Sequence, residues 1–265
     1  MDVNTLFGVQ GKVVLITGGA KGIGRMIATG FIANGAKVYI TGRDAPACHA
    51  TVSDLQPLAR LNGSIHALPA NLQNLAECES LAADLTRLEP SGLHVLVNNA
   101  GATWGADIDT FPDAAWTKLL TLNLQRAFTL TQLCLPLLER AGTQDDPARV
   151  IHIGSIDGVR VPTMASFAYS ASKAGLHHLS RHLARDLGFR NITSNVLACG
   201  PFRTKMMRAT LDAAGEVLRE NIPLRRIGRD EDVAGSAVFL ASKAGAYLNG
   251  ALIRVDGGAS LVAKI

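Results

Sequence analysis

The sequence predicts a single α/β domain in which a parallel, doubly wound sheet of seven strands is covered by helices on both faces. Short apolar runs recur along the chain, and they lack the alternation typical of half-exposed strands. The segments between them are mostly long enough for a crossover helix, which parallel pairing requires. The predicted strands are residues 13–16, 38–41, 65–68, 95–98, 150–153, 192–197 and 252–255.

Length and composition favour one domain over residues 1–265. Of these residues 48% are hydrophobic and 26 are glycine, which suits a folded protein with many tight strand-to-helix turns. No apolar stretch approaches the roughly 18 residues that a membrane-spanning helix needs. Residues 1–10 have neither the basic nor the apolar region of a secretion signal, so we expect a cytoplasmic protein.

Charge and cysteine content exclude several kinds of site. The net charge of +4 is spread along the chain without an aromatic-rich basic stripe, which argues against a nucleic-acid partner and suits an anionic cofactor or substrate. The cysteines are scattered without a Cys-x-x-Cys pair, so we expect reduced thiols and no metal site. His177, His178 and His182 cluster on the predicted helix of Tyr169, and the last two have metal-compatible spacing. No general-base Glu accompanies them, and a surface or subunit contact is the simpler interpretation. The cysteines are Cys48, Cys78, Cys134 and Cys199.

The first predicted strand runs into a glycine-rich turn, which a predicted helix over residues 25–34 follows. Gly18, Gly22 and Gly24 allow the backbone to turn tightly and to approach a pyrophosphate. The N–H groups and dipole at the start of a helix attract that charge. A strand, a glycine turn and a helix in this order predict a Rossmann-like dinucleotide site.

Several motifs then follow in order along nearly the whole chain, and on them the sequence resembles the short-chain dehydrogenase/reductase family. Residues 101–106 and 147–151 are similar to its 3-oxoacyl reductase branch, in particular to the rhamnolipid-synthesis type. The family-like motifs are Thr17-Gly18-x-x-x-Gly22-x-Gly24, Asn98-Asn99-Ala100-Gly101, Asn123, Ser155, Tyr169-x-x-x-Lys173 and Val255-Asp256-Gly257-Gly258.

The residues after the second strand indicate which dinucleotide binds. NAD-preferring members of the family place an acidic residue there, whereas this chain has Gly42 followed by Arg43. The guanidinium of Arg43 suits a 2′-phosphate, and Lys21 in the glycine turn adds a second cation, so NADP(H) is the expected cofactor. Asp44 precedes Ala-Pro and is expected to cap a helix.

The resemblance implies the remaining cofactor contacts. Asn71 stands where relatives commonly carry Asp against the adenine, and Cys199 stands where they carry Pro before Gly200. Thr204 keeps the family's spacing after Gly200, and the resemblance implies that it hydrogen-bonds to the carboxamide or to a phosphate of the cofactor. The predicted cofactor-binding residues are Gly18, Lys21, Gly22, Ile23, Gly24, Arg43, Asn71, Leu72, Asn99, Ala100, Gly101, Tyr169, Lys173, Gly200 and Thr204.

The expected chemistry is proton transfer to an oxygen that receives a hydride. Tyr169 is the candidate acid, and Lys173 lies one helical turn on. A charge at roughly 5 Å in an effective dielectric of about 20 contributes on the order of 3 kcal/mol, which would lower a phenol pKa by about 2 units. By resemblance, Lys173 also holds the nicotinamide ribose, Ser155 holds the substrate oxygen and Asn123 supports a water relay.

Substrate and assembly are expectations from resemblance. Residues 203–226 are expected to form a substrate lid, and the substrate a 3-oxoacyl thioester or related ketone. Arg190 matches one of two arginines that dock an acidic carrier protein in relatives, but Asp146 occupies the other position, which makes carrier use doubtful. A sugar, polyol or steroid alcohol dehydrogenase and a non-catalytic dinucleotide-binding regulator remain alternatives. A homotetramer or homodimer is expected through the helices of Asn123 and Tyr169.

Overall fold

Seven parallel strands form one sheet in the order β3-β2-β1-β4-β5-β6-β7, which confirms the predicted fold class. The computed structural model describes residues 2–262, except for the side chains of residues 209, 210, 213 and 214. The strand order reverses between β1 and β4, where ligands of such sheets bind at the carboxyl ends. The strands are β1 Val13–Thr17, β2 Lys37–Thr41, β3 Ser64–Ala67, β4 Val95–Asn98, β5 Ala148–Ser155, β6 Ile192–Cys199 and β7 Leu252–Val255.

Helices cover both faces of the sheet and bury a hydrophobic core on each. Helices α2 and α9 pack together on one face, and α4, α6 and α7 cover the other. No helix among residues 2–262 combines the length and apolar character needed to cross a bilayer. The helices are α1 Val3–Phe7, α2 Gly22–Ala33, α3 Ala45–Leu55, α4 Leu75–Leu88, α5 Asp113–Leu120, α6 Arg126–Ala141, α7 Phe167–Gly188, α8 Arg208–Glu220 and α9 Asp230–Ala241.

The observed elements differ from the prediction mainly at their ends. Strand β5 runs from Ala148 to Ser155 and is buried throughout, although it contains Arg149 and His152. Apolar runs alone underestimate such a strand, because its polar side chains are buried through specific partners. Helix α2 begins at Gly22 and not at residue 25, since the last two glycines of the turn form its first helical turn.

A buried ionic cluster fixes the amino end of β5, opposite the cofactor side. Arg149 is 1% exposed and donates to the Leu240 carbonyl (2.9 Å), to the Ser242 carbonyl (2.9 Å) and to Asp146 (2.9 Å). The other carboxylate oxygen of Asp146 pairs with Lys12 at 2.6 Å. Arg149 therefore joins β5 to the end of α9, and Asp146 joins Arg149 to Lys12 at the start of β1.

Candidate active site

The glycine turn after β1 leaves the backbone open to an anionic ligand. Gly18 and Gly22 have φ of +64° and +52°, a region that disfavours side chains. A Cβ atom at Gly24 would lie 2.4 Å from the Gly18 carbonyl oxygen. The side chain of Lys21, which precedes α2, makes no cap hydrogen bond. The first N–H groups of α2, from Gly22, Ile23 and Gly24, are thus placed as a pyrophosphate site requires.

Asn99 and Ala100 hold this turn from the end of β4. The Asn99 side-chain amide donates to the carbonyls of Thr17 (2.7 Å) and Gly18 (3.2 Å). The Thr17 hydroxyl accepts the N–H groups of Asn99 and Ala100, both at 2.8 Å. These bonds join β1 to β4 at the point where the strand order reverses.

The two cations predicted for the 2′-phosphate lie near the carboxyl end of β2. Arg43 is exposed, and Lys21 forms an ion pair with Asp44 at 3.0 Å. Both side chains of that pair are about half exposed, so the pair is weak and Lys21 can exchange it for a phosphate. Asp44 accepts the Ala47 N–H at 3.0 Å, which confirms its predicted helix-capping role; this bond and Lys21 lower the pKa of its carboxyl.

Asn71 and Leu72 lie after β3, beside the expected adenine position. The Asn71 N–H donates to Glu77 at 2.7 Å, and its side-chain oxygen accepts the Gln73 N–H at 3.2 Å. The Leu72 carbonyl accepts from the Arg126 side chain at 2.9 Å. The turn is well fixed, while the adenine contact itself stays a prediction.

The structure brings Ser155, Tyr169 and Lys173 together. Ser155 ends β5, Tyr169 lies in the first turn of α7, and the Ser155 hydroxyl is near enough to the phenol to lower its pKa. The Ser155 oxygen also accepts the N–H of Asp157 at 3.1 Å. The Lys173 ammonium lies 5.7 Å from the centroid of the Tyr169 ring and donates to the Ile153 carbonyl at 2.7 Å.

The electrostatic expectation for Tyr169 is wrong in this structure. Burial raises the pKa of Tyr169 to about 12, and the nearby Ser155 hydroxyl acts in the opposite direction. Burial also lowers the pKa of Lys173 to about 8. The spacing in sequence correctly placed the ammonium near the phenol, but it carried no information about desolvation, which disfavours the charged form of both groups.

Asn123 lies in a π-helical turn, Thr121–Gln125, between α5 and α6. Its side chain accepts the Ala102 N–H (2.9 Å) and donates to the Ala102 carbonyl (2.9 Å) and to the Ser172 hydroxyl (3.0 Å). Asn123 thus joins the loop after β4 to α7, and its water relay stays a prediction. A Cβ atom at Gly101 would lie 3.2 Å from the Asn123 oxygen and 3.7 Å from the Lys173 ammonium, so Gly101 leaves room at this junction.

The two ends of the segment predicted as a lid lie next to each other. Phe202 and Gly228 form a β-bridge, and the Gly228 N–H donates to the Pro201 carbonyl at 2.9 Å. A Cβ atom at Gly22 would lie 3.1 Å from the Thr204 methyl group, so Thr204 lies beside the glycine turn. Gly200 lies where the chain leaves β6, and its N–H donates to the Val255 carbonyl at 3.0 Å.

Cys199, which replaces the usual proline, ends β6 in register with Ser155. A cysteine retains the backbone N–H that proline lacks, so the strand can continue to this residue. Burial raises the pKa of its thiol to about 12. All four cysteines are buried and unpaired.

The sequence predicts one surface or subunit contact for the three histidines of α7, whereas the structure separates them. The rings of His178 and His182 are exposed and pack edge to face, with centroids 5.3 Å apart. His177 is 5% exposed and faces β5. The signal for its burial was its position four residues after Lys173, on the same helical face. In the part of the chain that the structure describes, no group of three potential ligands is arranged for a metal.

Comparisons with known proteins agree with the fold, and the chain belongs to the short-chain dehydrogenase/reductase family. A family model described as enoyl-(acyl carrier protein) reductase matches residues 18–260. The rhamnolipids biosynthesis 3-oxoacyl-[acyl-carrier-protein] reductase of Pseudomonas aeruginosa is 42% identical over 254 residues, which are 95% of this chain and 97% of that protein.

Solved structures of similar proteins have the same fold. The Pseudomonas aeruginosa RhlG/NADP active-site complex superposes with a TM-score of 0.92 at 41% identity, and the match covers 97% of this chain and 99% of that one. A 7α-hydroxysteroid dehydrogenase, complexed with NADH and 7-oxo glycochenodeoxycholic acid, superposes with a TM-score of 0.89 at 30% identity. That match covers 97% of this chain and 98% of the dehydrogenase.

Proposed function

We propose that this chain is an NADPH-dependent reductase that converts a 3-oxoacyl thioester, or a closely related ketone, into the secondary alcohol. The observation that carries the proposal is the convergence of the Ser155 and Tyr169 hydroxyls beside Lys173, at the carboxyl end of β5. The 42% identity to a 3-oxoacyl reductase supports the choice of substrate class.

The residues present fit an NADP(H) molecule. The glycine turn offers the N–H groups of Gly22, Ile23 and Gly24 to its pyrophosphate. Lys21 and Arg43 offer two cations to the 2′-phosphate, and no acidic residue occupies position 42 to select a free ribose hydroxyl. The relative solved with NADP supports the same choice. When bound, NADPH supplies the hydride.

The side chains of this chain would handle the proton and the substrate oxygen. The Ser155 oxygen accepts from the Asp157 N–H, which leaves its own proton to donate to the substrate oxygen. The Tyr169 hydroxyl, whose high pKa keeps it protonated at neutral pH, donates the proton that completes the alcohol. Lys173, whose ammonium lies 5.7 Å from the centre of the Tyr169 ring, would stabilise the negative charge left on the phenol oxygen.

The presentation of the substrate is the finer part of the proposal. Arg190 pairs with Glu139 at 2.5 Å, and Asp146 is held by Lys12 and Arg149. Because a carboxylate occupies position 146, this chain offers one cation, Arg190, where relatives offer two to an acidic carrier protein. We propose that the enzyme uses coenzyme A thioesters at least as well as carrier-bound ones, which kcat/KM for matched pairs of substrates would test.

The proposal is tested by following NADPH absorbance with 3-oxoacyl thioesters and simple ketones, with NADH as the cofactor control. Consumption of NADPH with formation of the 3-hydroxyacyl product supports it. A second candidate, oxidation of a sugar, polyol or steroid alcohol, is favoured by the similarity to a hydroxysteroid dehydrogenase. The same panel therefore includes those alcohols with NADP⁺ and NAD⁺. Binding of NADPH without turnover of any compound would favour a dinucleotide-binding regulator.

We also propose one domain over residues 1–265 with a substrate lid at 203–226, assembled as a homotetramer or homodimer in the cytoplasm. The exposed face of α7, with Ala174, His178 and Arg181, supports the assembly. The four buried thiols suit a reducing compartment. Light scattering of the purified protein tests the assembly, and a monomer would contradict it.

A further inference from the structure

The imidazole ring of His177 is packed between the two glycines on either side of Ser155. His177 lies on α7, one turn after Lys173. A Cβ atom at Gly154 would lie 2.3 Å from its Nε2, and a Cβ atom at Gly158 would lie 2.8 Å from its Cε1. The ring therefore fills space that is available only because both positions are glycine.

The ring also faces the turn that carries Ser155. The backbone of Gly158 raises the pKa of His177 as a hydrogen-bond partner would, and the buried Nε2 has no partner in the described structure, so we assign this polar contact to Nδ1. Burial and the nearby Lys173 lower the pKa of His177 to about 4. The neutral ring has one N–H group, and the Gly158 carbonyl is the backbone group that can accept it.

The turn in question sets the orientation of the Ser155 hydroxyl. It is a 3₁₀ turn, Ile156–Gly158, and Ser155 caps its start by accepting the Asp157 N–H. A Cβ atom at Gly158 would lie 2.7 Å from the Ala174 nitrogen, so the turn lies directly against α7. The residues on either side of Ser155 are thus fixed to the helix that carries Tyr169.

We propose that His177 is a positioning residue that holds the Ser155 turn against α7, so that the Ser155 and Tyr169 hydroxyls converge on the same substrate oxygen. The proposal rests on the roles given to those two hydroxyls in the proposed function. His177 touches neither substrate nor cofactor in this arrangement and acts through Ser155. Because it stays neutral, it contributes no charge of its own near Lys173.

The experiment is a double-mutant cycle between positions 177 and 155. His177→Leu removes the N–H donor and is expected to lower kcat by at least tenfold in the chain with Ser155, with the affinity for NADPH changed less than twofold. In the Ser155→Ala background the same substitution is expected to change kcat less than twofold, because there is no hydroxyl left to position. Single-turnover kinetics measures the slow variants.

Two further variants separate the hydrogen bond from packing alone. His177→Asn places an amide N–H near the position of Nδ1 and is expected to recover most of the activity lost in His177→Leu. His49→Leu, at an exposed position of α3 outside the surface proposed for assembly, is the matched control and is expected to leave kcat within twofold of the unsubstituted chain. If His177→Leu does not fold, His177→Gln takes its place in the cycle, because the Gln amide lies one methylene further from the backbone than the Asn amide.

The outcomes separate the inference from the proposed function. An equal loss of kcat in both backgrounds, or no loss in either, overturns the positioning role while the reductase proposal stands. Equal impairment of the Asn and Leu variants overturns the role of the hydrogen bond. If the unsubstituted chain reduces no thioester, the substrate proposal fails, and the cycle is run with the compound that the panel identifies.

Discussion

Lys173 is expected to set the upper pH limit of reduction. Burial lowers the pKa of its ammonium to about 8 from an ordinary value of 10.5, which corresponds to about 3 kcal/mol against the charged form. The charge is present below the lowered pKa and is lost as the pH rises through it. At pH 9 roughly a tenth of the molecules keep the charge, and each further unit removes about another factor of ten. We therefore expect kcat/KM for NADPH to fall above about pH 8 with a slope near −1.

The titratable groups around Lys173 have pKa values outside this pH range. Burial lowers the pKa of His152 to about 3 and that of His177 to about 4. It raises the pKa of Cys199 and that of Tyr169, each to about 12. None of these groups changes its charge between pH 5 and 10, so a descending limb near pH 8 reports Lys173.

The assay is a pH profile of kcat/KM for NADPH, from pH 5.5 to 10, at a saturating concentration of the carbonyl substrate. This parameter reports groups of the free enzyme, the state that the structure represents. Lys173→Arg is the comparison, because a guanidinium keeps its charge throughout this range. Its rate is expected to be lower, without the limb near pH 8. A profile of the unsubstituted enzyme that stays flat to pH 9.5, or an unchanged limb in the Arg variant, would refute the reasoning.

Three further predictions follow from the site and its support. Tyr169→Phe should lower kcat by on the order of 10³-fold while NADPH affinity, measured by fluorescence, stays within a few-fold; an unchanged kcat would remove Tyr169 from its role. Arg43→Asp should shift the ratio of kcat/KM values from NADPH toward NADH, and an unchanged NADPH affinity would show that the 2′-phosphate is held elsewhere. Arg149→Met should lower the free energy of unfolding by about 3 kcal/mol in urea titrations, since two buried carbonyls lose their donor. A loss below about 0.5 kcal/mol would contradict that account of the cluster.

The sheet and the glycine turn could be predicted because their signals are local. Apolar runs of strand length and the Gly18-to-Gly24 spacing each report a backbone requirement that few sequences satisfy by chance. The pairing of Tyr169 with Lys173 followed in the same way from helical spacing.

The features that the sequence did not reveal depend on contacts between distant segments. The length of β5 depends on partners for Arg149 at residues 240 and 242. The pKa of Tyr169 depends on its burial, and the position of His177 depends on two glycines about twenty residues earlier in the chain. The π-helical turn at Asn123 depends on Ala102 and Ser172 in the same manner. None of these partners lies within one helical turn of the residue concerned or beside it in the same strand.

The central claim, hydride transfer from NADPH to a substrate carbonyl with Tyr169 as the acid, is tested most directly with NADPH deuterated at C4 of the nicotinamide ring. Each of the two deuterated isomers is incubated with a 3-oxoacyl thioester, and the product is examined by mass spectrometry. We expect one isomer to place deuterium on C3 of the 3-hydroxyacyl product, and Tyr169→Phe to slow that transfer by on the order of 10³-fold. Consumption of NADPH without deuterium at C3 from either isomer would contradict it.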